Sequence, residues 1–182
     1  MKCFLPLLFC LVFPVLGFAQ DAAVKPKVLV VYYSRDGHTK KAAEALAKRF
    51  DADIEGLVDL KKRVGPVEFV TAGKDATTHQ LTRIAPVKAD LNAYDVILIG
   101  TPSWFSNVTP AVRTFVSQHT FAGRKVGVFG TAHMSGVWNC MNDLAELVAP
   151  GKGADVPQLP LVHKDLTEDI LPKKIEEFFH KF

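Results

Sequence analysis

KVLVVYYSRDGHTKKAAEALAKRF, Lys27 to Phe50, joins a run of β-branched and aromatic residues, a polar turn with one glycine, and a helical pattern. The run KVLVVYY is short, continuous and apolar, as expected of a strand buried on both faces. From Thr39 to Phe50, Ala42, Ala43, Leu46, Ala47 and Phe50 fall on one face, with the lysines and Glu44 elsewhere, which predicts an amphipathic helix. A doubly buried strand that feeds a helix is the unit of an open parallel sheet, and the turn between them lies where such sheets bind ligands.

The same grammar continues outward. DADIEGLVDL holds a shorter strand near Ile54 to Val58, and YDVILIG, Tyr94 to Gly100, a deeply buried one. VTPAVRTFVSQH reads as a helix with Pro110 in its first turn, where a missing N–H costs nothing. KVGVFG, Lys125 to Gly130, is a fourth strand, followed by a helix over Val137 to Ala149. QLPLVH, Gln158 to His163, is a fifth strand that Pro160 places at a sheet edge. Glu168 to Phe182 closes the chain as a helix. The expectation is an α/β fold, a five-stranded parallel sheet with helices on both faces.

One connection is long, about 35 residues between Val58 and Tyr94. A helix near Val67 to Leu81 would serve as the crossover, although Gly65, Pro66 and Gly73 weaken or break its pattern. Connections of this length are often lids. The basic cluster Lys61 to Arg63 reads as a solvated loop.

The first nineteen residues, MKCFLPLLFCLVFPVLGFA, carry one positive charge at Lys2, an apolar stretch from Phe4 to Leu16, and the small residues Gly17 and Ala19. This pattern predicts a secretory signal over residues 1–19, with an uncleaved membrane anchor as the alternative. A short linker, 20–26, would then precede a single domain over 27–182. Cleavage after Ala19 removes Lys2 and leaves 21 basic against 19 acidic side chains, a net charge of +2. No strong field argues for nucleic acid or a polyanionic partner. Cys3 and Cys10 leave with the signal, so Cys140 has no internal disulfide partner. Export, with periplasmic residence, is the expectation.

Three strand ends carry polar loops. In Ser34-Arg35-Asp36-Gly37-His38-Thr39, Ser34 and Thr39 offer hydroxyls, Gly37 can take a positive φ, and the helix adds free N–H groups and a positive dipole end. The loop is suited to phosphate, or Ser34 or Thr39 simply caps the helix. It has neither the lysine of a P-loop nor the three glycines of a dinucleotide fingerprint. In Gly100 to Pro110, a proline turn presents Trp104 and Phe105, which either pack against the domain or cover an aromatic ligand. In Gly130 to Gly136, small residues allow a ligand close to the backbone, and His133 is a hydrogen-bond donor, a proton shuttle or a plain surface histidine. A phosphate turn beside an aromatic shelf and a close-approach loop describes a mononucleotide with a flat ring.

On YYSRDGHT, YDVILIGTPSWFSNVTPAVRTFV and GRKVGVFGT, the chain resembles the flavodoxin family across residues 27–182. KKRVGPVEFVTAGKDATT also resembles a stretch inserted in some flavodoxin-like oxidoreductases. The resemblance implies a three-layer sandwich with strand order 2-1-3-4-5, and FMN as the cofactor. It further implies that Ser34, Arg35, Asp36, Gly37, His38 and Thr39 hold the phosphate. Thr101, Pro102, Ser103, Trp104 and Phe105 would meet the ribityl chain and one ring face. Thr131, Ala132, His133 and Met134 would meet the pyrimidine side or the N5 region.

Two departures bear on function. Many electron-carrier flavodoxins are strongly acidic and sandwich the ring between two aromatic side chains. This chain is near neutral, and its third loop has no aromatic residue. Both favour a reductase of small acceptors such as quinones, with segment 59–93 as a lid. A one-electron carrier serving a protein partner and a cofactor-free binding module are the alternatives. No side chain is assigned a catalytic role, no metal is expected, and no membrane contact is expected beyond the signal segment.

Overall fold

The computed structural model describes residues 25–182. The expected signal and most of the expected linker lie outside the described residues. Among the described residues, no helix is long and apolar enough to cross a membrane.

Five parallel strands form the sheet: β1 (Val28–Tyr32), β2 (Asp53–Gly56), β3 (Val96–Trp104), β5 (Lys125–Ala132) and β6 (Gln158–Val162). Their spatial order is β2-β1-β3-β5-β6, and β4 (Asn107–Val108) turns back antiparallel on the end of β3. Setting β4 aside, this is the expected order 2-1-3-4-5. β6 lies at an edge, where Pro160, paired in register with Gly130, leaves no interior ladder donor unmet.

Alternation along β1 builds the two cores. Leu29 and Val31 join Ile97, Ile99 and Val128 under α3 (Pro110–Gln118) and α4 (Val137–Val148), with Phe115, Met141 and Leu144 filling the layer. Val28 and Val30 join Leu98 and Phe129 on the other face. There, α1 (His38–Phe50) contributes Ala42, Leu46 and Phe50, and α5 (Leu171–Phe179) contributes Ile175 and Phe178. Successive strand residues point to opposite faces, so one five-residue strand serves both layers.

The long connection is folded rather than open. α2 (Pro66–Thr77) is continuous, with Pro66 in its first turn and Gly65 just before it at φ 128°. Gly73 does not break the helix, and the Phe105 ring packs where its Cβ would stand. After α2, the Leu60 and Ala85 amides donate to Arg83 and Val58 carbonyls, closing the segment on itself. Thr82 and Thr114 exchange hydrogen bonds of 2.9 and 3.0 Å, fixing it to α3.

The basic cluster divides, contrary to the expectation of a solvated loop. Lys61 and Lys62 are exposed, but Arg63 is only 4% exposed. It donates to Asp59 at 2.7 Å and to Asp75 at 2.6 Å, and its Nη2 is buried without a partner. Burial opposes ionisation of the Asp75 carboxyl, yet hydrogen bonds from Lys61 and Arg63 hold it below the ordinary carboxylate range.

Candidate functional site

β1 feeds α1 toward β2, whereas β3 feeds α3 toward β5, so the two connections part above the sheet. A cavity of about 480 Å³ opens at this parting, beyond the carboxyl ends of β1, β3 and β5. Twelve of the expected site residues line it: Ser34, Arg35, Asp36, His38, Thr39, Pro102, Ser103, Trp104, Phe105, Thr131, Ala132 and His133. Gly37, Thr101 and Met134 do not. Gly37 sets the turn with its positive φ; Thr101 is buried, bonded at 2.9 Å to Thr109; and Met134 is 78% exposed.

The first loop turns at Gly37, whose φ of 89° lies in the left-handed region that glycine adopts without penalty. The Gly37 amide donates to Ser34 Oγ at 3.1 Å, and the α1 N-terminus has no side-chain cap. Neither Ser34 nor Thr39 caps it. The Thr39 hydroxyl is buried and bonded to Thr131 Oγ1 at 2.8 Å, tying α1 to the end of β5. The uncapped first turn of α1 therefore directs its amides and the positive end of its dipole outward.

Arg35 crosses from this loop toward the apolar wall. Its guanidinium lies 5.3 Å from the Phe69 ring centroid and 5.4 Å from that of Trp104. It also makes a bidentate contact with Asp36, with bonds of 3.0 and 2.7 Å. That hydrogen bond holds the Asp36 carboxyl below the ordinary range. Among the described residues, Asp36 is the one carboxylate lining the cavity, and its charge is already matched.

The two aromatic residues of the second loop part company. β3 runs on through Trp104, whose side chain turns inward, 8% exposed, edge-on to Tyr33 at 5.7 Å. Burial first, then the Asp59 charge, pushes the Tyr33 hydroxyl up to about 12 despite the Arg63 and Arg35 charges, so it stays protonated. Phe105 is 61% exposed, and a positive φ at Phe105 and Ser106 makes the tight turn into β4. Its ring lies 6.1 Å from that of Phe69 on α2.

Phe69, Ala72 and Gly73 are lining residues that the loop reading missed. Their signal was the small pair Ala72-Gly73 three residues after Phe69, a helix face on which another ring can rest. Trp138, one residue into α4, is exposed and does not line the cavity. Among the described residues, no group of histidine, cysteine and acidic side chains is arranged to hold a metal.

A family model described as Flavodoxin matches residues 27–178. The chain belongs to the flavodoxin family. A curated relative, the NAD(P)H dehydrogenase (quinone) of Gluconacetobacter diazotrophicus, is 35% identical over 116 residues, 60% of this chain and 56% of that protein. The chain spans about half the length of the curated relatives it matches. A solved structure from Bacteroides eggerthii DSM 20697 covers 85% of this flavodoxin-family chain and 96% of its own, with a TM-score of 0.68 at 22% identity. A flavoprotein from Lactobacillus acidophilus NCFM, solved in complex with FMN, covers 85% and 99%, with a TM-score of 0.65 at 19% identity. At these identities, the structural likeness speaks for the flavodoxin fold.

Proposed function

We propose that this flavodoxin-family protein binds FMN in the strand-end cavity and reduces small acceptors of the quinone type. The carrying observation is the cavity itself, about 480 Å³, in the range of ligand sites, with an uncapped helix N-terminus at one end and the Phe69–Phe105 aromatic wall at the other. Its donor set fits the group. First-turn amides, the Ser34 hydroxyl and the left-handed turn at Gly37 suit a phosphate. Pro102 to Phe105 and Thr131 to His133 suit the ribityl chain and ring.

When bound, FMN supplies the hydride or electron transfer. The chain supplies position and electrostatics. Asp36, matched by Arg35, adds little field against negative charge in the cavity. Phe69 and Phe105, both exposed, offer an apolar face at the cavity on which a second flat molecule would stack. The name of the Gluconacetobacter relative supports a quinone as that molecule.

The experiment is to load the protein with FMN and follow oxidation of NADH or NADPH with and without a benzoquinone. Quinone-dependent turnover that requires FMN supports the reading. FMN-loaded protein that passes electrons only to one-electron acceptors would make it a carrier. Protein that takes up no FMN would make it a cofactor-free module.

Export to the periplasm remains part of this proposal, supported by the N-terminal pattern. N-terminal sequencing of the exported protein should begin at Gln20, and a chain that still begins at Met1 in the membrane fraction would favour an anchor. An exported apo-protein would acquire FMN after translocation.

A further inference from the structure

Three imidazoles from three strand ends meet beside the first turn of α1. His38 opens α1, His133 follows β5, and His163 follows β6. The His163 ring lies 4.9 Å from His38, edge-on, and 5.5 Å from His133, centroid to centroid. The His163 amide donates to the His133 carbonyl at 3.4 Å, which ties the two loops. His38 and His133 line the cavity, His163 packs against both rings without lining it, and all three are exposed.

The carboxylates around the cluster are already engaged: Asp36, whose charge reaches His38, is held bidentately by Arg35. On α1, Lys40 lies 3.8 Å from Glu44, and Lys41 is exposed. After β6, Lys164 is exposed, while buried Asp165 accepts the Val162 amide at 2.9 Å and pairs with Lys174 of α5 at 3.2 Å. Met134 and Ser135, after His133, carry no charge. Each carboxylate here already has a cation. A proton on the cluster meets the neighbouring imidazoles and, at His38, an Asp36 already bound by Arg35, so a further anion would stabilise it. The neighbouring α1 amides favour the same anion.

We propose that His38, His133 and His163 form a proton-linked phosphate clamp, in which binding of the FMN phosphate takes up a proton and holds the cofactor more tightly as pH falls. The clamp rests on the reading that the cavity binds FMN. Its sign follows from linkage: a ligand that favours the protonated imidazole binds better when that form is populated, and imidazole ordinarily titrates between pH 5 and 8. The phosphate takes up its own proton near pH 6, so the effect is read above that value.

The test is fluorescence titration of FMN and riboflavin against the wild type and His163→Asn, at about pH 8 and about pH 6.5. FMN should bind the wild type about three- to tenfold more tightly at the lower pH. Riboflavin should show no such slope. His163→Asn should flatten the FMN slope, and so should a His38→Asn/His163→Asn double variant. In the wild type, inorganic phosphate should compete with FMN more strongly at the lower pH and leave riboflavin alone, which shows that phosphate chemistry carries the slope. FMN affinity equal at both pH values, an equal slope for riboflavin, or a full slope in the double variant would overturn the clamp while leaving FMN binding standing. No flavin bound at either pH would overturn the cofactor reading and the clamp with it.

Discussion

Thr39 Oγ1 lies 2.8 Å from Thr131 Oγ1, a buried hydroxyl pair that joins the first turn of α1 to the end of β5 across 92 residues of sequence. The two strand-end loops of the cavity are thus held in fixed register by a contact that needs both hydroxyls. Thr39→Val leaves the Thr131 hydroxyl buried without its partner and should cost about 1–2 kcal/mol. The Thr39→Val/Thr131→Val double variant replaces both partners by apolar groups and should recover much of that loss. Denaturant unfolding of the four proteins checks it; additive single costs would show that the pair is not coupled.

Gly37 takes φ 89° with open space where a Cβ would stand, so substitution there tests backbone conformation without a clash. Gly37→Ala should cost about 1–2 kcal/mol, and Gly37→Asn less, because asparagine tolerates the left-handed region. Gly37→Val should also weaken FMN much more than riboflavin, since only FMN brings a phosphate to this turn. Equal weakening of the two flavins would remove the phosphate from Ser34 to Thr39.

Arg63 holds the long connection through Asp59 and Asp75, with both Arg63 and Asp59 nearly fully buried. Removing one member of a buried pair leaves the others uncompensated, so Arg63→Ala should destabilise the protein by about 3 kcal/mol. The Asp75 carboxyl is depressed in the folded state. Its contribution is therefore complete above the ordinary carboxylate pKa and is lost as pH falls through the lower folded value. Amide protection over residues 59–84, corrected for the intrinsic pH dependence of exchange, should fall below about pH 4, and Asp75→Asn should remove that acid dependence.

How much of this was legible in the sequence depends on the kind of signal. Strands such as VLVVY and VILIG are visible because burial on both faces demands unbroken apolar runs. The turn at Gly37 is visible because few residues accept a positive φ. Arg63 was hidden: three basic residues in a row read as solvated, and only the four-residue spacing from Asp59 hinted at a pair. Trp104 could not be placed, since whether β3 stops at Gly100 or continues decides which way its ring points. His163 lies at the end of an edge strand, and no local pattern links it to loops some thirty and more than a hundred residues earlier.

The Phe105 ring packs where a Cβ at Gly73 would stand. In Gly73→Ala the half-exposed ring can swing away, and alanine gains about 1 kcal/mol of helix propensity, so stability should hold or rise. The wall between Phe69 and Phe105 would open at the same time. Flavin affinity should therefore fall while the melting temperature does not, a split that simple unfolding would not produce.

Parallel titration of the wild-type protein with FMN and with riboflavin, followed by quenching of flavin fluorescence and by the visible absorbance spectrum, tests the central claim most directly. The cavity predicts a bound flavin spectrum and FMN at least about tenfold tighter than riboflavin, from charge-assisted hydrogen bonds to the phosphate. A colourless protein that quenches neither flavin, or one that binds both equally, would contradict it.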